Sequence, residues 1–430
     1  MASPGYIGLV AGNRNFRLLW TAQIVSELGD WLYTVAIYSL LFESTGSARS
    51  LGAAFLLQVL PLFFIAPAAG IVNDRLSRKR VMIFADWSRA AIVLAMLLAR
   101  GPGLIWLVYV LLFLETVLFG FFEPGRNAVI PNIVPASLLI KANNLAAITW
   151  SFNFAAGAAL GGFIAAYLGR GPVFVLNALS FVASALLLRR MRFAEPHSEN
   201  LPPVRARELF SLSPIAEGIR YVRGDARLTA TLFVKCGLGL LGANWVIVPI
   251  LGERVFPVFR PGFDAHRAGM LGMSLLMAAR GMGAICGPVL AVSWAGEALP
   301  RLRLAIGLGF AAAFAGYVGL GLAPSMPLAC ACLVAAHGGL SAVWVFSTAM
   351  LQLQTEDRYR GRVFSAEFGL AVLTMAASSY LAGVLVDRGV PVLRVAMLTG
   401  LAMLVPAAAW AWAQRYWRRA SEPPSPHALG

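Results

Sequence analysis

Carboxylates set in the middle of long apolar runs are the residues of this chain best placed to do chemistry. Glu27 and Asp30 stand three apart in the run Phe16–Phe42, so a helix there presents both on one face. Glu115 lies at mid-depth of the run Leu104–Phe122, and Glu123 follows just past its end. Lys235 and Arg280 are the basic counterparts, in the runs Leu228–Leu251 and Ala268–Ser293. An ionisable group at bilayer depth costs at least about 2.5–3.5 kcal/mol on insertion scales, so each needs a role or a partner. One role is proton carriage, in which a carboxylate facing a partly dry cavity loads and releases a proton as access alternates. Asp30 is the first candidate for that role, Glu115 the second and Glu27 the third. The other reading is a permanent interhelical pair, with Asp30 or Glu115 bonded to Arg280, Lys235 or a hydroxyl. His337, beside Gly338-Gly339, reads as a packed, hydrogen-bonded residue.

The elements that must position these groups follow from composition. Of 430 residues, 59% are hydrophobic and 13% charged, with a mean hydropathy of +0.73. Soluble domains sit nearer 45–50% apolar and about 25% charged, so the surplus points to a bilayer. Cutting at charge and Pro/Gly clusters leaves about twelve apolar segments of spanning length, which predicts an all-α membrane protein. Arg189 to Arg227 is the long polar stretch between them. The expected organisation is a six-helix bundle over 1–188, a cytoplasmic linker over 189–227, a second six-helix bundle over 228–414 and a cytoplasmic tail over 415–430. Of the 35 Lys and Arg, 24 fall on the side that holds both termini and eight on the other, which predicts cytoplasmic termini. The net charge of +15 is thereby a matter of topology, and nucleic acid is not an expected partner. Met1–Arg14 lacks the pattern of a cleaved signal peptide. Cys236, Cys286, Cys330 and Cys332 lie in apolar segments and read as small buried hydrophobes, with no metal site and no cofactor expected. No phosphate-cradling loop, His-Glu-x-x-His or Gly-x-Ser-x-Gly occurs, so neither ATP drive nor an enzyme is expected.

The halves echo each other. Gly161-Gly162 leads through Gly169-Arg170-Gly171-Pro172 into the sixth run, and Ala382-Gly383 leads through Arg388-Gly389-Val390-Pro391 into the twelfth. Parallel repeats of this kind enclose a central cavity in many secondary transporters. Between the second and third runs lies Gly70-Ile71-Val72-Asn73-Asp74-Arg75-Leu76-Ser77-Arg78-Lys79-Arg80. This resembles the loop signature of the major facilitator superfamily, with Gly70, Asp74, Arg75, Arg78 and Lys79 in register and Ser77 where a glycine is usual. The stretches Phe122–Pro135 and Gln354–Val363 are similar to the efflux branch that includes enterobactin exporters, macrolide efflux pumps and lysophospholipid transporters. Two features depart from the pattern. No arginine lies between Leu104 and Phe122, where many proton-coupled drug exporters carry one. The fifth run has Gly157 and Gly161-Gly162 without the usual proline.

The resemblance implies two pseudo-symmetric six-helix bundles and a cytoplasmic latch. In that latch Asp74, beside a close helix approach at Gly70, faces the second bundle's Arg360 and Arg362. It implies that runs one, four, seven and ten line the cavity, which offers Gln23, Trp31, Tyr33, Asn244, Trp245, Trp344 and Phe346. The expected function is proton-coupled export of a small amphiphilic molecule (a drug-like compound, siderophore or lysolipid) by a monomer in the bacterial inner membrane. Its partners would be that substrate, protons and membrane lipids. An importer or lysolipid flippase of the same fold is the alternative, and a non-transporting receptor is a further one.

Overall fold

The computed structural model describes residues 6–99, 102–135, 138–195, 213–295, 299–355 and 357–421, and every regular element among them is helical. Asn13 starts the first long helix by accepting from the Phe16 amide, and Gly46, at φ +63°, closes it by donating to the Phe42 carbonyl. Twelve long spans follow through the described residues. They are α1 Arg14–Thr45, α2 Ala48–Arg75, α3 Arg78–Ala95, α4 Ile105–Ile133, α5 Leu139–Leu168 and α6 Arg170–Arg189. The second set is α7 Ala226–Val255, α8 Ala265–Ala295, α9 Leu299–Leu322, α10 Met326–Gln354, α11 Asp357–Asp387 and α12 Val392–Arg415. Eleven of these are long and apolar enough to cross a membrane. The other, α1, is 32 residues long and carries the polar run Gln23, Ser26, Glu27 and Asp30.

Two boundaries differ from expectation. The stretch after Phe122 is not a loop, because α4 continues to Ile133 with Pro124 and Pro131 inside it. Proline breaks are tolerated at membrane depth when neighbouring helices satisfy the freed backbone groups. Here the carbonyls three residues before each proline take outside donors, Phe121 from Asn73 on α2 and Ala128 from Arg78 on α3. Conversely α7 is not uniform. Leu240–Ala243 tightens to 3-10 geometry, and Leu251–Val255, just after Pro249, widens to a π turn.

Within the first set α1 packs on α5 and α6, α3 on α4 and α6, and α2 on α4. Within the second α10 packs on α8 and α9, α9 on α12, and α7 on α11. The repeat is visible in the backbone. Gly46 and Gly262 turn the chain from the first helix of each set to the second, and Gly169 and Gly389 turn it from the fifth to the sixth. All four sit at positive φ, where a Cβ is disfavoured.

The sets meet along two seams, α2 against α11 and α5 against α8. At the end far from the termini the seams are tight. A Cβ on Gly52 would meet the Ser379 backbone, one on Gly383 would meet Arg49, and one on Gly162 would meet Ser274. Asp387 at the end of α11 caps α2, accepting from the Ala48 amide at 2.7 Å, the Arg49 amide at 3.1 Å and the Ser47 hydroxyl. Deeper in, Gly369 still abuts Phe63. Among the described residues nothing lies within 4 Å of a Cβ on Gly70, where a close approach was expected. Among the described residues the seam is thus tight at the far end and open around Gly70.

Candidate coupling and cargo site

Asp30, Glu115 and Asp86 converge on one guanidinium, that of Arg89. Its Nη2 donates to Asp30 on α1 at 2.7 Å and its Nε to Glu115 on α4 at 2.9 Å, while Asp86, one turn earlier on α3, lies 3.5 Å from Nη1. The guanidinium lies 4.0 Å over the Phe181 ring, with Phe119 and Phe122 also in reach. Arg89 and Asp86 are sealed, at 1% and 0% exposure, and Glu115 is buried. The Asp30 side chain keeps 24% of its surface. Gly29 makes room for this geometry by letting Asn177 and Ser180 of α6 close on α1. Asp30 and Glu115 are therefore paired, but not with Arg280 or Lys235 as the pairing alternative had it. The signal was present in Asp86 and Arg89, three apart inside an apolar run and hence on one helix face.

Glu27 has its own partner. Arg126 reaches it at 2.7 Å, also binds Glu123, and lies on α4 because that helix runs past Phe122. The fourth helix therefore does carry an arginine, one turn beyond the stretch where one was sought. Gln23 and Asn153 complete the Glu27 carboxylate at 2.9 and 3.3 Å. Lys235, the other basic candidate, is bonded at 2.8 Å to Glu367 of α11, a carboxylate not picked out from the sequence. Trp344 caps that pair, with the ammonium 4.3 Å from its ring centre.

Of the latch residues, Arg78 binds within its own set, to the carbonyls of Asn73 and Ala128, and Lys79 binds the Met191 carbonyl. The side chains of Asp74, Arg360 and Arg362 lie outside the described residues.

The cavity candidates divide. Trp31 and Trp245 come together across the interface of the two sets, ring centroids 6.1 Å apart and nearly parallel. Tyr38, Phe55, Trp150 and Phe154 surround them, the Phe55 ring stacking on Trp245 at 5.0 Å. Arg280 of α8 lies against this box, 4.3 Å from the Trp245 centroid and 4.5 Å from that of Phe154. The other candidates lie elsewhere. Tyr33 turns to Phe174 on α6, Asn244 bonds back to the Leu241 carbonyl, and Phe346 is buried in the core. His337 is packed and hydrogen-bonded at 3.0 Å to the Tyr317 hydroxyl.

Twelve long helices in two matched sets, with an aromatic box where the sets meet, make up the major facilitator fold. The profile of the transmembrane secretion effector family matches residues 11–423, and the chain belongs to that family of the major facilitator superfamily. Macrolide efflux protein A of Streptococcus pyogenes is 26% identical over 379 residues, 87% of this chain and 89% of that one. An MFS-type transporter of Bacillus subtilis, YkuC, is 25% identical over 68% of each chain. Among solved structures, a bacterial homologue of the lysosomal transporter Spinster, inward-facing and occupied, superposes with a TM-score of 0.67 at 13% identity, covering 99% of this chain and 100% of that one. The nucleoside transporter NupG superposes at 0.68 with 14% identity, over 93% of this chain and 99% of that one.

Proposed function

We propose that the protein is a proton-coupled exporter of a small amphiphilic molecule. It works as a monomer by alternating access in the bacterial inner membrane, with both termini cytoplasmic. The observation that carries this reading is the charge count around Arg89. Three carboxylates share one guanidinium in a largely buried site, and a single positive charge offsets only one of them. Protons are the natural balance for the rest. Asp30, the member with accessible surface, is the group that exchanges its proton with the cavity, and Glu115 holds Arg89 when Asp30 lets go. The two sets, 1–188 and 228–414, rock about the box. Their seam is closed at the far end and loose at Gly70, as expected of a state that takes cargo from the cytoplasm. Export rather than import accords with the macrolide efflux relatives, and drug-like compounds, siderophores and lysolipids are the cargo classes to try.

The test is proton flux in liposomes that hold the protein and a pH-sensitive dye, with a panel of macrolides, catecholates and lysolipids. Asp30→Asn and Glu115→Gln are assayed in parallel. The expected result is a compound that drives proton movement in wild type but not in Asp30→Asn, while still binding both. Transport by wild type without any proton movement would show that these carboxylates are structural.

A further inference from the structure

The ionisable side chains of the interior are not equally committed. Asp30, Asp86 and Glu115 are held by Arg89, Glu27 by Arg126, and Lys235 by Glu367. Arg280 differs from all of them. Among the described residues no carboxylate pairs with it, and its Nε and Nη1 are buried without a hydrogen-bond acceptor. A buried N–H left unmade forfeits its hydration with nothing in return, and more so when it carries charge. What the chain does supply is two aromatic faces, Trp245 and Phe154, one from each set of helices. Both rings attract the charge of Arg280 but offer its N–H donors no lone pair, so Nε and Nη1 stay unengaged. Such an N–H edge is the part of a guanidinium that matches a carboxylate or phosphate bidentately. The residue as a whole is only half-buried.

We infer that Arg280 is an anion-recognition residue of the cargo site, and that the cargo is an organic anion whose carboxylate or phosphate is joined to a flat aromatic body. The rings that stack on Trp245 at 5.0–6.1 Å show that its plane accepts parallel partners, which suits an aromatic body better than a flexible alkyl chain. Placement strengthens the argument. Gly281, the next residue, lies where α5 and α8 touch at Phe154 and Ala155, so an anion on Arg280 bridges the seam that must part during transport. This inference rests on the proposed cargo site, because it names what that site takes.

The test uses quenching of tryptophan fluorescence in the full chain in lipid nanodiscs. The probes are 2-naphthoate, 1-naphthyl phosphate, 2-naphthalenemethanol, 2-naphthylmethylamine and nonanoate. Wild type should bind one of the two naphthyl anions at least about tenfold more tightly than the alcohol or amine, and also more tightly than nonanoate. Which anion binds better separates a carboxylate cargo from a phosphate one. Arg280→Gln should lose the preference for the anion and keep the affinity for the alcohol. Arg280→Lys should keep part of it, a lysine being a point charge without the fork. The unchanged affinity for the alcohol also shows that the variant box is intact. If wild type binds the alcohol or amine as tightly as the anions, or Arg280→Gln retains the preference, the inference is overturned while the exporter reading stands. If no probe binds, the box is not the cargo site and both readings of it fall. Loss of proton flux in Asp30→Asn is read separately and bears on coupling alone.

Discussion

Arg89 sends Nε to α4 and Nη2 to α1, and no other side chain could do both from its place on α3. Removing one partner of a buried ion pair leaves the remaining charges uncompensated and typically costs about 3–5 kcal/mol. Arg89→Gln is therefore expected to lower the midpoint of thermal unfolding in detergent by several degrees and to abolish transport. Arg89→Lys should recover part of the stability without transport, since an ammonium cannot span Asp30 and Glu115 at once. Full transport by Arg89→Lys would show that only charge is needed there. The pair Lys235–Glu367 behaves differently, because it joins only two groups, both buried. Lys235→Met and Glu367→Leu should each destabilise strongly, and the double variant should be more stable than either single one, a coupling that a double-mutant cycle reads directly. Additive losses in that cycle would mean the two side chains act independently. These pairs also mark how far the residues could be read in advance. Asp30, Glu115 and Glu27 stood out because each is a lone charge in an apolar run, but a partner on another helix leaves no trace in sequence spacing. Arg89 could be suspected only through Asp86 on its own helix, and Glu367 sits near the start of its run, where a charge looks like part of the flanking polar loop.

Twelve spans were legible because a bilayer asks for about 20 apolar residues in a row, and polar clusters between such runs are hard to misread. Lengths were not. Pro124 and Pro131 signal a break in a soluble protein, yet α4 runs through both, with side chains of α2 and α3 donating to carbonyls beside each proline. The uneven winding of α7 had no sequence mark beyond Pro249. At this scale the glycines of the two seams are the testable feature, because they set how closely elements from different sets approach. Gly52→Val would place methyl groups against the backbone of Ser379 and Tyr380, which cannot yield as a side chain end would. The far end of α2–α11 should then fail to close. The expected outcome is normal expression, weakened cargo binding from the terminal side, greatly reduced transport, and faster labelling by a membrane-impermeant maleimide of a cysteine placed at Ser47. Labelling as slow as in the Ser47→Cys protein without the valine would show that the seam accommodates the change.

At the scale of the whole molecule, the far end is joined by polar contacts between the two sets as well as by the glycine packing. Asp387 takes two amides and a hydroxyl at the start of α2, where the helix dipole also favours a carboxylate. Nearby, Glu43 of α1 binds both Arg170 and His266, the second at 3.3 Å across the interface. On the alternating-access proposal these contacts are lost when the far end opens, so they would act on the balance between the two states. A cap of this kind is worth about 0.5–2 kcal/mol. Asp387→Ala should therefore shift the equilibrium toward the far-open state by a factor of about 2–30, since 1.4 kcal/mol is tenfold. Spin labels on Arg49 and Arg388 would report a longer distance gaining population, while the unfolding midpoint moves little. Cargo affinity measured from the terminal side should fall by the same factor by which the far-closed population shrinks, because a ligand that needs one state is weakened by that state's scarcity. An unchanged distance distribution would mean that the α2–α11 packing alone holds the far end, with Asp387 serving only as a helix cap. A changed distribution with unchanged affinity would break the link between far-end closure and loading from the terminal side on which the alternating-access reading depends.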